Sequence, residues 1–316
     1  MNRDLPAAPY ISVIVCTRDR AERLRLMLES ACALEVPLGL AWELVVVDNG
    51  SSDATVAVAR SFSTRLPIRC VAEPRPGLSR ARNRGVEAAR GAWICWTDDD
   101  VLLDPGWLAA YAAAFARHPD AVLFGGRILP RLDPPAAPWF ARYMDRWPLA
   151  PVIGWRDFGD EELPFHGPRH RLPWGANFAV RADAQKRHLY NPELVGSGEE
   201  TDLAYRILGE GGTGWWVPAS IVTHLIPPER QTRRYLAEYY RLRGREAAWL
   251  HRARPGANLH GTPTWADCTL PGLHARAAAC LLVSWAARMT GLTPLGLRFL
   301  ARHGYARGLI EARREG

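Results

Sequence analysis

The sequence predicts an α/β protein: a mixed, mostly parallel sheet flanked by helices, with a helical C-terminal extension. Three observations carry that expectation. Short β-branched and apolar runs alternate with helix-patterned stretches over residues 10–129. The connections between them are short, as in βα units. Hydrophobic residues make up 48% and charged residues 23% of the 316, which supports a packed core and excludes wholesale disorder.

The elements follow in order. Residues 11–16 and 43–47 read as buried strands, with a helix over 21–34 that lines up Leu24, Leu28 and Ala31. The cluster at 48–53 reads as a turn followed by a helix N-cap, with Asp53 the better cap. Residues 68–72 form a third strand, 78–89 a helix closed by Gly91, and 92–97 a fourth strand running into Asp98, Asp99 and Asp100. Residues 105–117 read as a helix with Pro105 in its first turn, and 121–129 as a fifth strand. Residues 130–173 are rich in Pro and Trp and have little periodicity, which suits a substrate-binding insertion or a lid. A return strand or loop is expected at 174–180, a helix at 200–209, and short strands at 215–217 and 221–225. After Pro227 and Pro228 the chain is Ala-, Leu- and Arg-rich helix, interrupted near 255–271. The expected division is a catalytic domain over 1–228, with a donor half at 10–129 and an insertion and acceptor half at 130–228. A basic helical extension follows over 229–316.

The formal charge is +7, and it is uneven. From Glu229 to the end there are 15 Arg against 6 acids, or +9, leaving about −2 for the rest. A basic face of this kind suits anionic lipid or another acidic partner. No nucleic-acid-binding motif accompanies it. Leu281, Leu282, Trp285, Leu292 and Leu295 are interspersed with arginines such as Arg276, Arg288 and Arg298. That pattern fits a helix lying in a membrane interface, or a plain helical hairpin that packs or dimerises. The most apolar stretch, 277–297, is broken by Arg288 and Pro294, so no membrane-crossing helix is expected. The six cysteines form no CxxC pair, and the first residues carry no secretory-leader pattern. The expected setting is cytoplasmic and reducing, at or near the inner face of the cell membrane.

Ligands of parallel α/β sheets bind at the carboxyl ends of strands. Thr17, Asp48 and Asp98–Asp100 all fall at predicted strand ends, so three separate turns meet at one edge. Three adjacent carboxylates repel unless a cation or hydrogen-bond donors compensate. Hard oxygen ligands of this kind suit Mg²⁺ or Mn²⁺ shared with substrate phosphates; the plainer reading is a solvated acidic turn.

Five segments, taken together, resemble the family 2 glycosyltransferases of the GT-A fold: ISVIVCTR at 11–18, VVVDNGSSD at 45–53, GLSRARNRG at 77–85, WTDDD at 96–100 and GEETDLAYR at 198–206. Their order and spacing match over residues 10–226. The resemblance implies inverting transfer of a sugar from a nucleotide-diphospho-sugar, with a UDP-sugar favoured, to an acceptor hydroxyl in bacterial polysaccharide or glycoconjugate assembly. It makes Thr17, Arg18 and Asp48 nucleotide contacts, although Asp48 also suits a turn and Arg82 suits either the nucleotide or a solvated helix face. Asp98 and Asp99 become nucleotide-sugar contacts. Asp100, with Asp98 and His224, becomes the metal site, a lone histidine also being an ordinary structural residue. The family's catalytic base sits in a Glu-Asp pair; here the pair reads Glu199-Glu200, which makes Glu200 the first candidate and Glu199 the second. Trp174, Asn177 and Asp202 fall on the acceptor side, where core packing of Trp174 and helix capping by Asp202 are the alternatives. Arg230, Arg233 and Arg234 suit a diphosphate clamp or lipid headgroups. The acceptor itself is open, and a lipid-linked one fits the basic extension. Two rival functions are a nucleotidyltransferase, whose Gly-rich phosphate loop is missing at 16–20, and a silent sugar- or lipid-binding module of the same fold.

Overall fold

A computed structural model of the chain describes residues 10–165, 172–192, 198–253, 265 and 268–315. Its nine strands form one sheet in the order β3-β2-β1-β4-β8-β6-β9-β5, with β7 paired to β9. The parallel half contains β1 (Ile11–Thr17), β2 (Trp42–Asp48), β3 (Ile68–Ala72) and β4 (Trp93–Asp98). Beyond β4 the pairings of β8 with β4 and β6, and of β9 with β5 and β7, are antiparallel. They involve β5 (Val101–Leu103), β6 (Leu123–Leu132), β7 (Leu163–Pro164), β8 (Asn177–Arg181) and β9 (Gly214–Ile226).

The central strands β1, β2 and β4 are largely apolar because both faces are covered, whereas β3, at the edge of the sheet, is only half-buried. Alternate residues of each strand enter different cores. Val13 and Val15, Leu44 and Val46, and Cys95 pack with α1 (Ala21–Ala31), α2 (Thr55–Ser61) and α4 (Trp107–Arg117). Ile14, Val45, Val47, Ile94 and Trp96 pack with α3 (Leu78–Ala88), α7 (Ala182–Arg187) and α8 (Glu199–Gly209). Ser12, fully buried in β1, ties the layers: its hydroxyl donates to Glu43 Oε1 (2.6 Å) and accepts from the Gly91 backbone N–H (2.8 Å).

Several expectations change. A short strand not expected from the sequence, β5, follows the acid triplet, and the helix expected from Pro105 starts at Trp107 as α4. The two short strands expected at 215–225 are one 13-residue strand, β9, that continues through Pro218. The insertion, expected to lack regular structure, contains α5 (Pro138–Tyr143), α6 (Leu149–Val152) and β7. The interruption near 255–271 lies largely outside the described residues.

The chain divides into two compact units. The first holds the sheet-forming residues up to Leu129, Arg156–Val195 and Glu199–His224. The second contains Pro130–Trp155 with Leu225–Gly316, so part of the insertion clusters with the C-terminal helices. In this unit α5, α6, α9 (Arg233–Ala253), α10 (Leu270–Met289) and α11 (Thr293–Glu315) share a core that includes Phe140, Ile153, Leu236, Leu273 and Leu309. Helices α9 and α11 cross with backbones nearly touching. A Cβ at Gly304 or Gly308 would strike the Ala237 or Arg241 carbonyl, so glycine is required there.

Candidate active site

The register of the sheet builds the site. Thr17 stands opposite Asp48, and Cys16 opposite Asp98, so the carboxyl ends of β1, β2 and β4 come level. Thr97 stands opposite Asn177, which brings the 174–176 turn beside the end of β4. Val101 stands opposite His224, which brings that histidine to the acid triplet.

Two charged groups result. In the first, Thr17 Oγ1 donates to Asp99 Oδ2 (2.7 Å), and Arg20 Nη1 donates to Asp99 Oδ1 (2.9 Å) and Asp100 Oδ2 (3.0 Å). His224 Nε2 lies 3.4 Å from Asp100 Oδ1. Asp99, Asp100 and His224 are all buried. Burial raises the Asp99 carboxyl above its usual range despite Arg20. Burial, then the Asp100 charge, pushes Asp98 up to about 6, against the pull of Arg82 and His224. The edge thus gathers Asp98, Asp99 and Asp100 beside Arg20, with Arg82 acting on Asp98 from the second group.

In the second group, Arg82 is not on a solvated helix face. It is 4% exposed and forks between Glu199 Oε1 (2.9 Å) and Glu200 Oε1 (2.5 Å), with its guanidinium 5.2 Å from the Tyr190 ring centre. Burial opposes the Arg82 charge, but the two glutamates raise its pKa well above the ordinary value. Both glutamates lie in the first turn of α8, where the helix dipole favours negative charge. The Glu199 side chain is 4% exposed and that of Glu200 is 20%, so only Glu200 offers its carboxylate to a ligand. A Cβ at Gly175 would lie 2.8 Å from Arg82 Nη2 and collide with Glu200 Oε1. The glycine is what lets the 174–176 turn sit against that carboxylate. Arg82, Glu200 and His224 all act electrostatically on Asp98, which links the two groups.

The other predicted residues divide. Asp48 is half-buried and accepts the Ser51 N–H (3.1 Å), closing the turn after β2. Asp53 accepts from the backbone N–H of Thr55 (2.9 Å) and of Ala21 (3.2 Å), so it holds the starts of both α2 and α1. Arg18 is half exposed and its ion pair is with Asp19 (3.7 Å); the arginine on the acids is Arg20. Trp174 lies under the Arg156 guanidinium (3.8 Å to the ring centre) and packs against the core. Asn177, expected on the acceptor side, is fully buried in the sheet. Its Oδ1 accepts from Trp107 Nε1 and Tyr111 OH (both 2.8 Å), and its Nδ2 donates to the Arg127 and Ser220 carbonyls (both 2.9 Å). That amide joins four segments and has no group left for a ligand. Asp202 is buried and accepts from Arg206 Nε (2.9 Å) one turn along α8. Arg230 and Arg233 lie in the second unit, over the Tyr235 (6.0 Å) and Trp139 (5.5 Å) rings.

Arg20, Gly175 and Tyr190 were not singled out from the sequence. A buried acid triplet demands a nearby cation, but nothing distinguishes Arg20 from the other arginines before the register is known.

Among the described residues no three carboxylate, imidazole or thiol groups converge as a ready metal cage. The Asp100–His224 pair, with Asp98 within electrostatic reach, nonetheless offers the carboxylate and imidazole donors that a divalent cation would take.

The family model described as "Glycosyl transferase family 2" matches residues 12–188, more than half of the chain. A glucosyl-dolichyl phosphate glucuronosyltransferase of Haloferax volcanii is 29% identical over 180 residues, 55% of this chain and 53% of that protein. A PGL/p-HBAD biosynthesis glycosyltransferase of Mycobacterium bovis is 34% identical over 128 residues, 40% of this chain and 49% of that one. The chain thus spans about half the length, or less, of the curated relatives it matches. Among solved structures, the mannosyltransferase PcManGT from Pyrobaculum calidifontis, in complex with GDP-Man and Mn²⁺, superimposes with a TM-score of 0.61. It is 19% identical over 98% of this chain and 87% of that one. Residues 1–349 of S. aureus TarS, in complex with UDP-GlcNAc, give a TM-score of 0.51 at 16% identity, covering 97% and 92%. Both likenesses concern the fold, which is the GT-A fold. With the match over 12–188 and the strand-end acids in register, the chain belongs to glycosyl transferase family 2.

Proposed function

We propose that the protein is a metal-dependent inverting glycosyltransferase that moves a sugar from a nucleotide-diphospho-sugar to an acceptor hydroxyl. The observation that carries this reading is the pair of charged groups at one sheet edge: the acids with His224, and Glu200 held by Arg82.

Thr17, Arg18 and Asp48 would receive the nucleotide, with Asp48 accepting an N–H of the base. Asp98 and Asp99 would face the ribose and sugar hydroxyls. Asp100 and His224, with Asp98, would hold Mn²⁺ or Mg²⁺, which when bound neutralises charge on the diphosphate leaving group. Glu200 takes the proton of the acceptor hydroxyl as its oxygen attacks the anomeric carbon. The new C–O bond forms while the bond to phosphate breaks, and that electron pair leaves on the diphosphate. Arg82 and Gly175 fix the Glu200 carboxylate against the attacking oxygen. Residues 1–228 would carry this chemistry and 229–316 would form an accessory helical part. A UDP-sugar donor, a lipid-linked acceptor and a cytoplasmic setting complete the proposal. The donors in PcManGT and TarS, GDP-Man and UDP-GlcNAc, support a nucleotide-sugar without choosing its base. The glucosyl-dolichyl phosphate of the Haloferax protein's name supports a lipid-borne acceptor.

One assay separates this from its rivals. The chain is incubated with Mn²⁺, lipid-linked acceptors and a panel of nucleotide-sugars, and in parallel with nucleoside triphosphates and sugar phosphates, with nucleoside diphosphate and pyrophosphate both measured. Release of the diphosphate, lost in Glu200→Gln, is expected. Pyrophosphate released from a nucleoside triphosphate and sugar phosphate would mean a nucleotidyltransferase. Binding with no turnover, with lipid-linked acceptors present, would mean a silent module.

A further inference from the structure

We infer that the outer face of α10, with the turn into α11, docks on an anionic lipid bilayer surface. Leu281, Leu282, Trp285, Met289, Leu292 and Leu295 are all exposed there, Leu282 by 67%, Trp285 by 63% and Met289 by 70%. Leu282, Trp285 and Met289 follow at i, i+3 and i+7, so they share one side of the helix. The opposite side is already used: Leu273, Ala277, Cys280 and Ala287 are buried, the first two in the core of the second unit. Single exposed leucines need no explanation, but large apolar side chains gathered on one side of a helix and its adjoining turn mark a contact surface.

Charge identifies the occupant. From Cys268 to Ile310 the chain has no acidic residue and five arginines. Arg276 and Arg288 bracket an uncharged run on α10, and Arg298 is exposed on α11. A second copy of this surface would set like charges, Arg288 and Arg298 among them, against each other. An anionic headgroup layer complements them, while arginine stems lie along the apolar surface and Trp285 sits at headgroup depth. No helix among the described residues is long and apolar enough to cross a membrane. The helix therefore lies in the interface, its leucines in the acyl boundary and its arginines among the headgroups. This surface exists whatever reaction the sheet-bearing unit performs.

The test is vesicle co-sedimentation of the full chain. Vesicles of phosphatidylcholine alone are compared with phosphatidylcholine containing phosphatidylglycerol, at low and high salt. Binding should require phosphatidylglycerol and weaken with salt. Neutralising Arg288 or Arg298 (Arg→Gln) should each lower partitioning by roughly fivefold. Leu282→Glu with Trp285→Glu should abolish it, while circular dichroism and monomeric mass stay unchanged. Those two positions are already exposed, so loss of the fold is not expected. No binding to phosphatidylglycerol vesicles, or undiminished binding by the double variant, overturns the inference. So does a dimer, seen by light scattering, that the double variant dissociates.

Discussion

Glu199 and Glu200 are adjacent in sequence and share one guanidinium, yet their surroundings differ. Glu199 is enclosed; Glu200 is open to a ligand and backed by Gly175. Glu200→Gln keeps the shape and removes the proton acceptor. It should lower transfer by roughly 10²–10⁴-fold while leaving nucleotide binding intact. Glu199→Gln should act mainly on stability, because it weakens a buried ion pair. Measuring turnover and nucleotide affinity for both decides the assignment; a dead Glu199→Gln beside an active Glu200→Gln would reverse it. Gly175→Ala is a sharper probe. Its methyl group collides with Glu200 Oε1, and displacing a reacting group by an ångström costs on the order of 10²-fold. The expected result is lost turnover with donor affinity retained. The acid triplet was visible in the sequence because three carboxylates after an apolar strand must be compensated; the glutamate pair was singled out by the family resemblance, since acids at a helix start are common for structural reasons alone. Asn177 was not placed by the same reasoning. Its amide chemistry suits a ligand or a core equally, and only the strands crossing around it decide for the core.

Strands that are buried on both faces write themselves plainly, which is why β1, β2 and β4 were legible nearly to the residue; the half-buried edge strand β3 was legible from its short apolar run between turns. β5 was not, because three residues after an acid triplet have no period to read. β9 was divided at Pro218, a residue normally excluded from strand interiors. These two failures matter, since β5 pairing with β9 is what delivers His224 to Asp100. Among the legible strands, Glu43 fastens β2 to its neighbours. It accepts from Ser12 of β1, from Arg69 of β3 (2.9 Å) and from the Arg90 backbone N–H (2.8 Å). Burial works to raise its pKa, but these donors outweigh burial and hold it below the ordinary glutamate range. A carboxyl whose folded pKa is depressed stabilises the fold above its unfolded pKa. That contribution is lost as pH falls through the folded value. Glu43→Gln should therefore cost about 1–3 kcal/mol at neutral pH. The deficit should shrink as pH falls below the unfolded value of ~4.3 and vanish only below the depressed folded value, where the wild-type carboxyl is protonated too. Denaturant melts of both proteins across the acid range would check this; a pH-independent difference would mean packing, not charge.

Charge is arranged by region in this chain, with the surplus of arginine after residue 228 and the surplus of acid at the carboxyl edge of the sheet. Arg20 is the cation that already partly neutralises that edge, and its bonds to Asp99 and Asp100 raise its own pKa above the ordinary value although burial opposes this. The same two acids adjoin the proposed metal position, so Arg20 and a divalent ion should share the work of holding them. Arg20→Ala then leaves the carboxylates to repel, and the variant alone should melt below the wild type. Added Mn²⁺ has more repulsion to relieve in the variant, so it should raise the melting temperature of Arg20→Ala more than that of the wild type. Asp100→Ala should respond least, having lost the ligand that Asp100 shares with His224. Adding a nucleoside diphosphate with Mn²⁺ should stabilise the wild type further. A ligand at about a hundredfold its dissociation constant contributes about 2.7 kcal/mol, or several degrees for a unit of this size. If Mn²⁺ instead shifts Arg20→Ala less than the wild type, Arg20 shapes the ligand set rather than substituting for the ion. If Asp100→Ala responds as the wild type does, the ion sits elsewhere.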